Sequence, residues 1–415
     1  MPNLGIYIQV PFCQTKCTYC NFHTGVVSAG RFAPYVEAVC REVRGQRFFA
    51  TGGDNRFTPF EEGVAQDAHI TTRCGAATSE SLPALVARDS VVDTVYVGGG
   101  TPSLLKPELL SALLAALRDK FSCAFEEVAL EADPETIEPE KAAAWLAAGF
   151  SRVSMGTQSF VDDELKAAGR VHRRSDIYRA VSALRGVGFN NISFDLIAGL
   201  PRQTPGSWRQ SLDELIALSP EHISIYMMEI DEGSRLGLEV LQSGTRYSVR
   251  ELPTEESMAE FYELGQELLK SAGYEQYEIS NWAKPGFAST HNLKYWRREP
   301  YLGFGAGAHS FSGRQRWANL HDAAAYVDAI SAGRSGIVSL ETVSRESALE
   351  EELFLGLRQL SGIDLGRIER QYGVNLGDKA APLITAGLMS REEQILRLAP
   401  GKLTVSNEVI VELLR

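Results

Sequence analysis

Three thiols lie within eight positions of one another in Cys13-Gln-Thr-Lys-Cys17-Thr-Tyr-Cys20. A loop carrying three thiolates can wrap one cube of iron and sulfide. Such a cube offers four irons, so three protein ligands leave one iron open to a small molecule, as in any metal site with a vacant position. Two other chemistries use the same residues. Structural zinc wants four ligands, commonly as separated pairs, and this spacing supplies no second pair. A redox pair of Cys17 and Cys20 would leave Cys13 idle. Cys40, Cys74 and Cys123 are scattered and read as core thiols. Six cysteines in 415 residues are too few for a disulfide scaffold.

Gly98-Gly99-Gly100-Thr101-Pro102 is a second candidate, since bare glycines let a ligand approach backbone amides and carbonyls. Alone, a triple glycine is equally a tight turn. Glu131, Gln158, Arg170 and Asp195 each stand at or after the end of an apolar run. Any one of them suits a capping role, whereas four at corresponding places suggest a shared pocket.

The elements that must position these residues follow a βα repeat. Strands are expected at 4–10, 93–97, 126–131, 151–155, 191–196 and 222–228. Helices are expected at Pro107–Lys120, Glu138–Ala148, Ile177–Val187 and Ser207–Ala217. In a parallel α/β barrel the carboxyl ends of the strands form the working face, which is where the cysteines, the glycines and the four polar residues fall. Arg44–Asp89 lacks a sustained period and is too long for an ordinary connection, so an insertion at about 45–90 is expected, with a short helix at Glu80–Ala87. A long helix near Thr254–Ser271 precedes an aromatic, glycine-dotted stretch, Gly273–Ser310. From about Ser344 the chain reads as helices at 344–360, 364–372 and 378–388, short strands at 394–398 and 402–405, and a final helix. That order is winged-helix-like. With no basic stripe, it suits packing or partner contact rather than DNA.

A net charge of −12 argues against nucleic acid as the main partner. No apolar run is long enough for an integral membrane segment, and the first residues lack a secretory pattern, so a cytoplasmic protein is expected.

The cysteine spacing, the strand before it and Tyr19 before the last Cys resemble the radical S-adenosylmethionine superfamily, and within it the HemN/HemW group. The likeness runs from IYIQVPFC through DLIAGLPRQT and QYEISNWA to YLGFGAGAHSF and EELFLGLR. It implies an α/β fold, a partial (β/α)6 barrel of radical SAM type with a C-terminal α+β, winged-helix-like module. The divisions would be 1–235, a family-specific segment 236–343, and 344–415. It also implies a 4Fe-4S cluster on Cys13, Cys17 and Cys20, with S-adenosylmethionine chelating the open iron and cleaved to a 5'-deoxyadenosyl radical. Tyr7, Tyr19, Gly99, Gly100, Thr101, Glu131, Gln158, Arg170 and Asp195 match the group's cofactor-contacting positions.

Two departures bear on the branch. The oxygen-independent coproporphyrinogen III dehydrogenases carry a further Cys where this chain has Phe22, and an arm before the motif. The segment His291-Asn292-Leu293-Lys294-Tyr295-Trp296 instead resembles the HNxxYW motif of the heme-chaperone branch, in which the His is associated with heme. The resemblance therefore implies heme or a porphyrin as cargo, an acceptor protein for it, and His291 as a heme-binding residue. His309 in GAHS is a second candidate ligand. His23, His69, His172, His222 and His321 read as structural or surface residues. The alternative is a radical enzyme, the coproporphyrinogen dehydrogenase or a relative.

Overall fold

Residues 3–49 and 86–414 are described by the computed structural model. The expected strands appear as β1 Asn3–Val10, β2 Val91–Gly99, β3 Ser122–Ala132, β4 Arg152–Gln158, β5 Ile192–Ala198 and β6 His222–Met227. They lie side by side in chain order, each parallel to the next. Between them run α1 Phe32–Gly45, α2 Pro107–Lys120, α3 Pro139–Ala148, α4 Arg174–Val187 and α5 Pro205–Leu218. β1 shows why the strands have two faces. Leu4, Ile6, Ile8 and Val10 are buried against the helices, while Gly5, Tyr7 and Gln9 alternate onto the barrel interior. Burying each such aliphatic side chain contributes about 1.5–3 kcal/mol. The helices stop where the sequence stops them: α3 and α4 end on Gly149 and Gly188, both in the left-handed region at φ +109 and +105.

The sheet is larger than the six strands read from sequence. β7 Glu275–Glu278 and β8 Asn281–Ala283 extend it beyond β6. β9 Tyr301–Phe304 adds a seventh parallel strand beside β1, followed by β10 His309–Phe311, β11 Gln315–Asn319 and β12 Ile337–Thr342. The stretch from Lys284 to Pro300 thus travels from one edge of the partial barrel to the other. It carries a short helix, α6 Thr290–Trp296, across the end of the barrel where the strands begin.

The C-terminal module packs around a second apolar cluster that also takes in Phe311 and Val343. Its helices are Arg345–Gly356, Leu365–Tyr372, Gly377–Thr385 and Ser406–Leu414. The expected strand at 402–405 is a 3-10 turn, Leu403–Val405, and the hairpin is Met389–Glu392 with Ile395–Leu398. Glu393, at φ 52, takes the left-handed turn position that lets the hairpin close so tightly. The expected helix at Glu80–Ala87 is also corrected at its end, since Val86–Ala87 pairs as a strand with Phe48–Phe49. Its remainder, with Cys74 and His69, lies outside the described residues. No helix among the described residues is long and apolar enough to cross a membrane.

Candidate functional site

The loop after β1 is tied shut at its base. The Gly25 N–H donates to Pro11 O at 2.9 Å and the Cys13 N–H to Gly25 O at 3.1 Å. Its middle is pinned by buried Thr18, whose N–H donates to Ala168 O at 3.0 Å and whose carbonyl accepts from Leu236 N at 2.8 Å. Cys13, Cys17 and Cys20 are unpaired, half-buried and on the wall of one cavity of about 1120 Å³. Burial pushes the Cys13 and Cys20 thiols up from their ordinary values. The Arg170 guanidinium donates to the Cys17 sulfur at 3.5 Å. Among the described residues no three His, Cys, Asp or Glu side chains converge on one point to hold a single metal ion. Three ligands spread along a tied loop suit a cluster, where each thiolate takes its own iron, better than zinc.

Opposite the loop, β2 ends in the three glycines, and the contacts explain them. A Cβ on Gly98 would lie 2.8 Å from Glu131 Oε1, and one on Gly100 would lie 2.4 Å from Phe12 O. Gly99 sits at φ +116 and its N–H donates to Glu131 Oε2 at 2.8 Å. Burial raises Glu131 to about 7 and Asp195 to about 6. Asp195 accepts from Ser154 Oγ at 3.1 Å. Gln158 closes β4 at φ 63, a left-handed conformation costly for a side-chain-bearing residue and often found at ligand sites. Acidic groups outnumber basic ones on this wall, which suits a nucleotide carrying a sulfonium and an ammonium.

Tyr19, Gly99, Gly100, Thr101, Glu131, Gln158, Arg170 and Asp195 all line the cavity with the three cysteines. Tyr7 does not. It stacks beneath Tyr96 at 6.1 Å between ring centres and donates to Gln9 Oε1 at 2.7 Å, so Tyr96 takes the wall position. Arg170 is engaged more fully than a free carboxylate clamp, because it ion-pairs with Asp133 and donates to Gly156 O at 2.9 Å. Asp133, which also accepts from Thr101 Oγ1 at 3.0 Å, was not singled out from sequence. Its signal is period: it stands two residues after Glu131, on the same side of the chain.

His291 lies apart from the cysteines and the nucleotide wall. Its ring is fully buried at the strand-start end of the barrel, with Nδ1 3.0 Å from Thr94 Oγ1 and Nε2 2.9 Å from the Tyr295 hydroxyl. Both nitrogens are taken. Burial, and Lys294 nearby, lower its pKa to about 3, so the ring is neutral. Glu127 holds the start of α6 through Ser289 Oγ at 2.9 Å and the His291 N–H at 3.1 Å, and is itself paired to buried Arg152 at 3.0 Å. Lys294 is buried against Asp93 at 2.8 Å. The segment is a built plug under the cavity, and both ring nitrogens of its histidine are hydrogen-bonded to hydroxyls.

Comparison with known proteins agrees with the geometry. The family model of the radical SAM superfamily matches residues 7–215, and that of the HemN C-terminal domain matches residues 343–400. The heme chaperone HemW of Bacillus subtilis is 33% identical over 97% of this chain and 97% of its own. HemW of Synechocystis sp. is 32% identical over 91% of this chain and 83% of its own. The solved structure of coproporphyrinogen III oxidase (HemN) from Escherichia coli superposes with a TM-score of 0.77 over 99% of this chain and 90% of that one, at 20% identity, a likeness of fold.

Proposed function

Because the chain belongs to the radical SAM superfamily and, within it, to the heme chaperone HemW family, we propose that it binds heme and passes it to an acceptor protein in the cytoplasm. The observation that carries this reading is the end-to-end likeness to HemW in a chain whose three thiols and nucleotide wall meet in one cavity. In this reading Cys13, Cys17 and Cys20 hold the 4Fe-4S cluster, and S-adenosylmethionine takes the open iron. When bound, the cluster supplies an electron to the sulfonium nucleotide.

The chain's own residues do the rest. Gly98–Gly100 admit the nucleotide to the β2 backbone, and Glu131 and Asp195 offer hydrogen-bonding oxygens to its hydroxyls. Asp133 aims Arg170 at Cys17. Phe22, 67% exposed where the dehydrogenases carry a further Cys, leaves the loop without their fourth thiol.

The test is an anaerobic titration of the reconstituted protein with hemin. A shifted Soret band saturating near one equivalent is expected. A spectrum identical to free hemin at micromolar protein sinks the carrier reading. Reconstitution of the Cys17→Ala variant should give a colourless protein where the parent is brown, and an equally brown variant removes the cluster assignment.

A further inference from the structure

The cavity, at about 1120 Å³, exceeds the roughly 300–1,000 Å³ that one small ligand fills. The nucleotide wall is built on β2 to β5, and the cavity continues past it to β6 and the residues that follow. There its lining turns apolar: Tyr226, Met227 and Ile230 are exposed, and Trp296, the last residue of α6, lines the same cavity. An apolar lining of this breadth suits a flat hydrophobic ligand.

Into this part of the cavity the C-terminal module places one cation. Arg358 stands in the turn after the helix Arg345–Gly356. Its neighbours fix its place, since Gln359 Nε2 donates to Trp296 O at 3.0 Å and the Leu360 N–H to Tyr277 O at 3.1 Å, which ties the turn to the end of α6 and to β7. The guanidinium donates to Asn407 Oδ1 at 2.6 Å and to Phe354 O at 3.4 Å, and its carbon lies 3.9 Å from the centre of the Phe354 ring. All of these partners are neutral. Among the described residues no carboxylate comes within ion-pair distance of it, and Glu229, after β6, acts on it only from farther away. Arg170, the other arginine on the cavity wall, is already paired with Asp133. Burial pulls the Arg358 pKa below its ordinary value, as befits a half-buried charge that lacks a counter-ion.

We infer that Arg358, held by Asn407 beside Trp296, is the subsite for a propionate carboxylate of the tetrapyrrole, an inference that rests on the heme-carrier reading. A guanidinium meets a carboxylate through two parallel N–H···O bonds, and Asn407 and Phe354 leave it N–H groups for that fork. Trp296, Tyr226 and Met227 supply aromatic and thioether surface for the macrocycle. The subsite reads the acid edge of the ring and leaves the iron to other residues.

The experiment pairs hemin with hemin dimethyl ester, whose carboxyls are blocked, in anaerobic titrations of the reconstituted full chain followed by the Soret band. The parent should bind hemin at least tenfold more tightly than the ester. Arg358→Met should lose that margin and bind both as the parent binds the ester, with the brown chromophore, thermal melting and affinity for S-adenosylmethionine unchanged. Arg358→Lys, which keeps the charge without the fork, should recover part of the margin. Asn407→Ala changes an exposed side chain and frees the guanidinium, so it should narrow the margin without touching ester binding, and it serves where Arg358→Met does not fold. A parent that binds hemin and its ester equally, or an Arg358→Met or Asn407→Ala variant that keeps the full margin, overturns the inference and leaves the carrier reading standing. An Arg358→Met variant that loses S-adenosylmethionine with the margin intact assigns the guanidinium to the nucleotide and overturns it as well. A parent that leaves the free-hemin spectrum unchanged removes both readings.

Discussion

The two ends of the barrel use the same residue types for opposite purposes. Where the strands begin, Thr94, Glu127, Arg152 and His291 are turned on one another, and these contacts secure the segment carrying α6. Where the strands end, the polar groups face a cavity, and the exposed rings of His23, His309 and His321 lie near one another. A histidine next to aromatic residues therefore says little about ligation. What separates support from binding is whether its nitrogens are already spoken for, and that depends on which element packs over it.

The sharpest way to break this comparison is at the buried end. Lys294→Met leaves Asp93 buried without its partner, and losing one member of a buried pair costs about 3–5 kcal/mol. Urea unfolding that shows less than about 1 kcal/mol of loss would mean that the segment does not secure the barrel.

His291→Ala removes two buried hydrogen bonds and leaves a cavity, for about 2–4 kcal/mol. Urea unfolding measures it, and a loss below about 1 kcal/mol would mean that the two hydroxyls do not hold the ring.

Acid gives a third, smaller effect. Unfolded His291 takes a proton near its ordinary 6.5, whereas the folded ring resists until about 3. Between those values the unfolded state binds more protons, so this contribution is complete above 6.5 and drains as pH falls toward 3. At pH 5 the loss is about 2 kcal/mol. Glu131 and Asp195, raised by burial, act with the opposite sign, but they are common to parent and variant. Comparing the parent with His291→Gln at pH 7.5 and pH 5 isolates the imidazole, and equal pH slopes would contradict its burial as the cause.

The smallest expected effect is at the exposed rings, where His321→Ala should change stability by no more than about 0.5 kcal/mol. Equilibrium unfolding measures it. A cost of 2 kcal/mol would make the exposed ring as structural as the buried one.

The six parallel strands and the long helices were legible because alternation and helical period are local properties of apolar residues. The cysteine loop was legible from spacing, and Glu131 and Gln158 from their places at strand ends, whereas Asp195, expected to close its strand, stands in the middle of β5. Asp133 and Tyr96 carried the same signal, each two residues from a glycine or carboxylate that was recognised. The flanking strands Tyr301–Phe304 and His309–Phe311 were not legible, because each is too short to show a period and is fixed by its neighbour. The same holds at residues 402–405, where a run of β-formers after Gly401 closes as a 3-10 turn. The burial of His291 was out of reach for a stronger reason: it follows from a segment crossing between opposite sheet edges, and no local pattern encodes such a crossing.

That crossing has a mechanical consequence. A barrel left incomplete ordinarily has two loose margins, free to drift apart and change its bore. Here one short stretch of chain is stitched to both, through β8 on one side and β9 on the other. It acts as a hoop at the base, so the gape of the upper end is set by the loops and by the C-terminal module, whose Arg358 and Asn407 reach the cavity wall.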